Sequence, residues 1–136
     1  MTDYRTHKTV LIVDDNADVR EICSLALDHA GYQVLQASDG REGVAIAREA
    51  LPDLVVIDGR MPVLGGWDAA RILKEDSRTR GIPVVAFTAS AVTEAQKRML
   101  REVADGYIPK PCSPQEFVAA VARSLAAPPL AGLAAH

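Results

Sequence analysis

Apolar residues recur along this chain in two alternating rhythms. Lys8–Val13 (KTVLIV) is a short run rich in β-branched residues and predicts a buried strand. Ala17–Ala30 follows with Val19, Ile22, Cys23, Ala26 and Ala30 at helical spacing, and Gly31 stops it. The alternation then repeats. Strands are predicted over Gln33–Gln36, Asp53–Ile57, Pro83–Phe87 and Asp105–Ile108, and helices over Gly40–Ala50, Trp67–Glu75, Thr93–Glu102 and Ser113–Ala126. Thr93 with Gln96 and Ser113 with Glu116 have the spacing of capping boxes, and Pro114 suits a first helical position.

Strands alternating with helices predict an α/β fold built on a parallel sheet. The strands lack polar alternation, as expected of a sheet covered on both faces. The chain's 136 residues make about one domain. A composition of 49% hydrophobic and 24% charged residues excludes disorder as the main state. No apolar run is long enough to span a membrane, and Met1–Val10 lacks the apolar centre of a signal peptide. Cys23 and Cys112 match no metal or redox spacing, and a cytoplasmic location is expected. The net charge of −3 carries no electrostatic footprint of a nucleic-acid binder, so no DNA partner is expected. Residues 128–136 are read as a disordered Ala/Pro-rich tail after a domain over 1–127. That tail is too short for a DNA-binding helix-turn-helix.

The polar residues at strand ends carry the chemistry. Asp14 and Asp15 follow the first strand, Asp58 closes the third, Thr88 closes the fourth and Lys110 follows the fifth. In a parallel sheet these ends share one edge, where ligands of open α/β sheets bind. Three carboxylates packed together repel unless a cation intervenes, and Mg²⁺ suits carboxylates combined with water and a phosphate oxygen. Lys110 is a point charge for a phosphate or for Asp58, and Thr88 can donate a hydrogen bond to a phosphoryl oxygen. Asp58 is left as a nucleophile able to form an aspartyl phosphate.

With these residues in place, the chain resembles the receiver domains of two-component response regulators over residues 8–126. The resemblance rests on VLIVDDN (Val10–Asn16), VVIDGRMPVLGG (Val55–Gly66), PVVAFTAS (Pro83–Ser90) and GYIPKP (Gly106–Pro111) in order. It implies a flavodoxin-like (βα)5 sandwich of three layers with strand order 2-1-3-4-5; a receiver protein is one of the standing examples of that order. It implies Asp58 as phosphoacceptor and Asp15 as direct Mg²⁺ ligand, with Mn²⁺ as a substitute. Asp14 is then the acid acting through water, and the Arg60 backbone carbonyl a further ligand. Thr88 and Lys110 bind the phosphoryl group, Lys110-Pro111 is cis, and Tyr107 is the aromatic switch that follows Thr88. Arg60 and Ser90 occupy positions that tune the phosphoryl lifetime.

The implied function is a phosphorelay switch. The domain takes phosphate from a phosphohistidine on a sensor kinase or phosphotransfer protein. It catalyses its own phosphorylation and dephosphorylation, and presents a changed surface on its fourth helix, fifth strand and fifth helix to a downstream protein. A receiver, either stand-alone or excised, monomeric or dimerising on phosphorylation and without membrane partners, is expected. Two other classes compete. A docking module of the same fold would need none of these acids. A Mg²⁺-dependent aspartyl phosphohydrolase ordinarily has a second acid where Arg60 stands. Nucleotide or flavin binding is disfavoured because Asp14-Asp15-Asn16 replaces a glycine-rich loop. Taken singly, each residue has an ordinary structural reading: a helix cap for Asp14-Asp15, a turn for Asp58-Gly59, packing for Trp67, Tyr107 and Cys23, and solvation for Lys110. Their coincidence at strand ends decides for the site.

Overall fold

Val10–Val13 and Leu54–Ile57 are all at most 1% exposed, so two strands lie side by side at the centre of the molecule. A computed structural model describes residues 8–59, 64–89 and 93–126. The elements run β1 (Thr9–Val13), α1 (Ala17–His29), β2 (Gln33–Ala37), α2 (Gly40–Ala50), β3 (Leu54–Ile57), α3 (Gly66–Glu75), β4 (Val84–Ala89), α4 (Glu94–Val103), β5 (Gly106–Lys110) and α5 (Pro114–Ala126). The five strands are parallel in the order β2-β1-β3-β4-β5, the expected flavodoxin-like topology.

The two-residue period of the strands sorts their side chains to opposite faces. Val10, Ile12 and Val56 pack with Leu27 of α1 and Phe117 of α5. Leu11, Val13 and Val55 pack with Ala47 of α2 and Leu73 of α3. The result is a sheet between two helical layers. The Phe87 and Phe117 rings lock β4 to α5, with centroids 5.0 Å apart and planes tilted by 46°.

Helix ends follow their local chemistry. Asn16 caps α1 by accepting from the Asp18 and Val19 backbone N–H groups at 2.9 and 3.1 Å. Gly31 follows the helix at φ 101°, a conformation that favours glycine. Ser113 and Glu116 form the expected capping box: the Glu116 N–H donates to Ser113 Oγ at 3.0 Å, and the Ser113 N–H to Glu116 Oε1 at 2.8 Å. Those bonds hold the Glu116 carboxyl below its ordinary value. The Gln96 side chain of the Thr93 pair lies outside the described residues.

Several boundaries differ by a residue or two from the sequence reading, and three of them bear on the site. β4 continues through Thr88 to Ala89, and β5 continues through Pro109 to Lys110. A proline reads as a strand terminator, but β5 is an edge strand, and there the missing N–H costs no ladder bond. Lys110 therefore ends the strand instead of following it. α3 starts one residue early, at Gly66. Among the described residues no helix is long and apolar enough to cross a membrane.

Gly66 sits where a Cβ would run into the Asp58 backbone carbonyl, whereas a Cβ on Gly81 would meet nothing within 4 Å. Gly66→Ala is expected to lower the unfolding free energy by about 1–3 kcal/mol through overpacking. Gly81→Ala should leave it unchanged or raise it slightly. Urea denaturation midpoints of the two variants check this pair.

Candidate functional site

The ladder between β1 and its neighbours extends one step beyond the strands. The Asp14 N–H donates to the Ala37 carbonyl at 3.1 Å, and the Asp58 N–H to the Val13 carbonyl at 2.9 Å. Asp14 and Asp58 therefore emerge side by side at the C-terminal edge of the sheet. Asp14 is 1% exposed and Asp58 7%, while the adjoining Asp15 is exposed. One carboxylate oxygen from each of Asp14, Asp15 and Asp58 lies within 4.8 Å of the others. Such a trio matches the donor set of a hard divalent cation.

Lys110 reaches the same place from the end of β5. Its Nζ lies 2.6 Å from Asp14 Oδ2 and 3.4 Å from Asp58 Oδ2. It also sits 4.9 Å from the centroid of the Phe87 ring, a cation–π contact. Burial alone would lower its pKa. The hydrogen bond to Asp14 and the charges of Asp14 and Asp58 outweigh burial and hold the ammonium above its ordinary value. Three carboxylates and one ammonium leave a formal charge of −2, which a divalent cation cancels. The Lys110-Pro111 peptide is cis, as the resemblance implies.

Asp14 is held on every side. Its Oδ1 accepts from the Asn16 N–H at 2.9 Å, and its backbone carbonyl accepts from Arg20 Nη1 at 2.7 Å. Thr88 is 2% exposed on β4, in register with Pro109, the residue before Lys110. Tyr107 is 46% exposed, with its hydroxyl 3.5 Å from the Thr88 carbonyl, the outer limit of a hydrogen bond. Arg60 and Ser90 lie outside the described residues, as do Met61, Pro62 and the tail.

Other residues singled out in the sequence take structural places. Cys23 is buried on the α1 side of the sheet. Burial, together with the neighbouring Cys112 and Asp14, pushes its thiol up to about 12, so it stays protonated. Trp67 is buried, and its indole occupies the space a Cβ on Gly59 would need. The sequence reading of Asp58-Gly59 turned on Asp58 and gave Gly59 no partner, so this contact was not legible in it. Sequence reasoning also passed over Arg20, because an arginine on the polar side of an amphipathic helix reads as solvated.

The chain matches the family model of the response regulator receiver domain over residues 10–122. It is 41% identical to the phosphate regulon transcriptional regulatory protein PhoB of Pseudomonas aeruginosa over 82% of this chain and 49% of that protein. It is 36% identical to the DNA-binding dual master transcriptional regulator RpaA of Synechocystis over 82% of this chain and 46% of that protein. The chain thus spans about half the length of these curated relatives. Among solved structures it resembles the chemotaxis response regulator CheY4 of Vibrio cholerae, with a TM-score of 0.81, 32% identity, and coverage of 88% of this chain and 99% of that one. It also resembles the receiver domain of a sensor histidine kinase from Pseudomonas aeruginosa, with a magnesium ion coordinated in the active site cleft. That match has a TM-score of 0.81, 27% identity, and coverage of 90% and 100% of the two chains. The relatives overturn one expectation. Absence of a DNA partner was read from the net charge, yet RpaA is a DNA-binding regulator. Net charge describes only the surface over which it is summed, and this chain spans about half of such relatives.

The raised pKa of Lys110 sets a pH window. Its ion pairs contribute fully below the ordinary lysine value of 10.5 and are lost as the pH rises through the higher folded-state value. Lys110→Met is expected to cost about 3 kcal/mol at neutral pH, because it leaves the buried Asp14 carboxylate without its cation. The gap between wild type and variant should stay constant through the neutral range and close only above pH 10.5. Urea denaturation of both proteins across pH checks this.

Proposed function

This chain belongs to the response regulator receiver domain family, and from that premise we propose that it accepts a phosphoryl group on Asp58 from a phosphohistidine of a sensor kinase or phosphotransfer protein. The observation that carries the proposal is the convergence of Asp14, Asp15, Asp58 and Lys110 at one strand edge. Mg²⁺, or Mn²⁺ in its place, would be held by Asp14, Asp15 and Asp58 together with the backbone carbonyl of Arg60. When bound, the ion supplies positive charge against the oxygens of the transferring group.

The chain's own residues divide the remaining work. An Asp58 oxygen forms the new P–O bond as the P–N bond to the donor imidazole breaks, and the donor ring keeps the electron pair and takes a proton. Lys110, held beside Asp58, meets the negative charge of the arriving group and gives up part of its contact with the carboxylates to do so. Thr88 offers its hydroxyl to a phosphoryl oxygen, and Tyr107 follows it from an exposed to an inward position. That coupling would alter the surface of α4, β5 and α5, where a downstream protein docks. Arg60 and Ser90 would tune the lifetime of the phosphoryl group. The proposed setting is the cytoplasm.

Intact-mass spectrometry after incubation with acetyl phosphate tests the assignment. A gain of one phosphoryl group is expected with Mg²⁺, and none is expected with a chelator present or in Asp58→Asn. Uptake by Asp58→Asn equal to wild type would refute Asp58 as the acceptor. No uptake by the wild type under any condition would favour a docking module of the same fold.

A further inference from the structure

We propose that Arg20 is a positioning residue for the cation site, fixing the direction in which Asp15 leaves the sheet. The inference rests on the function proposed above. β1 ends at Val13, so the Asp14 carbonyl lies beyond the last paired residue of the strand. Arg20, the fourth residue of α1, donates from Nη1 to that carbonyl at 2.7 Å, a short charge-assisted bond. Its Nε donates to Gln36 Oε1 on β2 at 3.3 Å. One guanidinium therefore ties together the helix, the exit of β1 and the neighbouring strand.

The peptide group explains why this matters for Asp15. The Asp14 carbonyl, the Asp15 nitrogen and the Asp15 Cα share one plane. Anchoring the oxygen sets the plane, and the plane sets where the Asp15 Cα departs. Asp14 and Asp58 need no such help, because they are buried and bonded to Lys110. Asp15 is the exposed member of the trio, and without a fixed plane it would lose more freedom on joining the cluster. Partners that orient ligands from outside the ligand set are worth roughly 10–100-fold in metal affinity.

A second effect of Arg20 has the opposite sign. Its positive charge stands near the acids and opposes a cation there. The two effects separate experimentally. Arg20→Met keeps the unbranched stem and the helix preference but removes both the bond and the charge. Arg20→Lys keeps the charge and one donor able to reach the carbonyl.

The test is calorimetric titration of the whole chain with Mg²⁺, paired with acetyl phosphate phosphorylation rates across Mg²⁺ concentration. Arg20→Met should raise the Mg²⁺ dissociation constant about tenfold, with the rate at saturating Mg²⁺ kept within about twofold of wild type. Arg20→Lys should recover at least half of that loss on a logarithmic scale. An unchanged or tighter constant in Arg20→Met would overturn the proposal, because charge repulsion would then be the larger effect. A fall in the saturating rate with an unchanged constant would overturn it too. If Arg20→Met does not fold, Arg20→Lys and Gln36→Ala carry the test: a weakened constant in at least one supports the role, and an unchanged constant in both refutes it. Wild-type protein that binds Mg²⁺ yet takes up no phosphoryl group would sink the receiver proposal and leave the constants to judge Arg20. Wild-type protein that binds no Mg²⁺ would overturn both.

Discussion

A carboxylate that is 1% exposed has lost its water and needs polar partners within the protein, and Asp14 is such a group. Its principal partner is Lys110, 96 residues away in sequence. Asp14 stands at the end of β1 and Lys110 at the end of β5, with β3 and β4 between them in the sheet. At about 4.8 Å per strand, that gap is some 14 Å, and a lysine entering from the edge strand crosses the crevice to close it. The pair therefore depends on the whole strand order. It also draws Asp58, on the intervening β3, into the same charge balance.

Most of this was legible in the sequence because burial and chemistry leave separate marks. The apolar runs Val10–Val13 and Leu54–Ile57 mark the central strands, and the acids that interrupt them mark where the chain leaves the core. Ser113 and Glu116 announced the start of α5 because a capping box is a local contract between near neighbours. Position within the sheet was not legible. Pro109 ends a strand in the middle of a sheet but not on an edge, and nothing near it in sequence says which applies.

The same limit explains the contacts that sequence reasoning passed over. Arg20 meets the Asp14 carbonyl six residues earlier in the chain, across a turn whose geometry only the folded loop reveals. Gly59 looks like turn punctuation, while its spatial role is to leave room for Trp67. Charge summed over the chain misled in a different way. It reports on the segment's own surface, and the DNA-binding RpaA is about twice as long as the segment it shares with this chain.

Trp67 is the sole tryptophan of the chain. Its indole is buried against Gly59, the residue that follows Asp58. The emission of an indole depends on the polarity and packing around it, and here that environment is the backbone of the acidic edge itself. The molecule thus carries a built-in optical reporter, packed against the residue next to Asp58, whose light needs no correction for a second tryptophan and no attached dye.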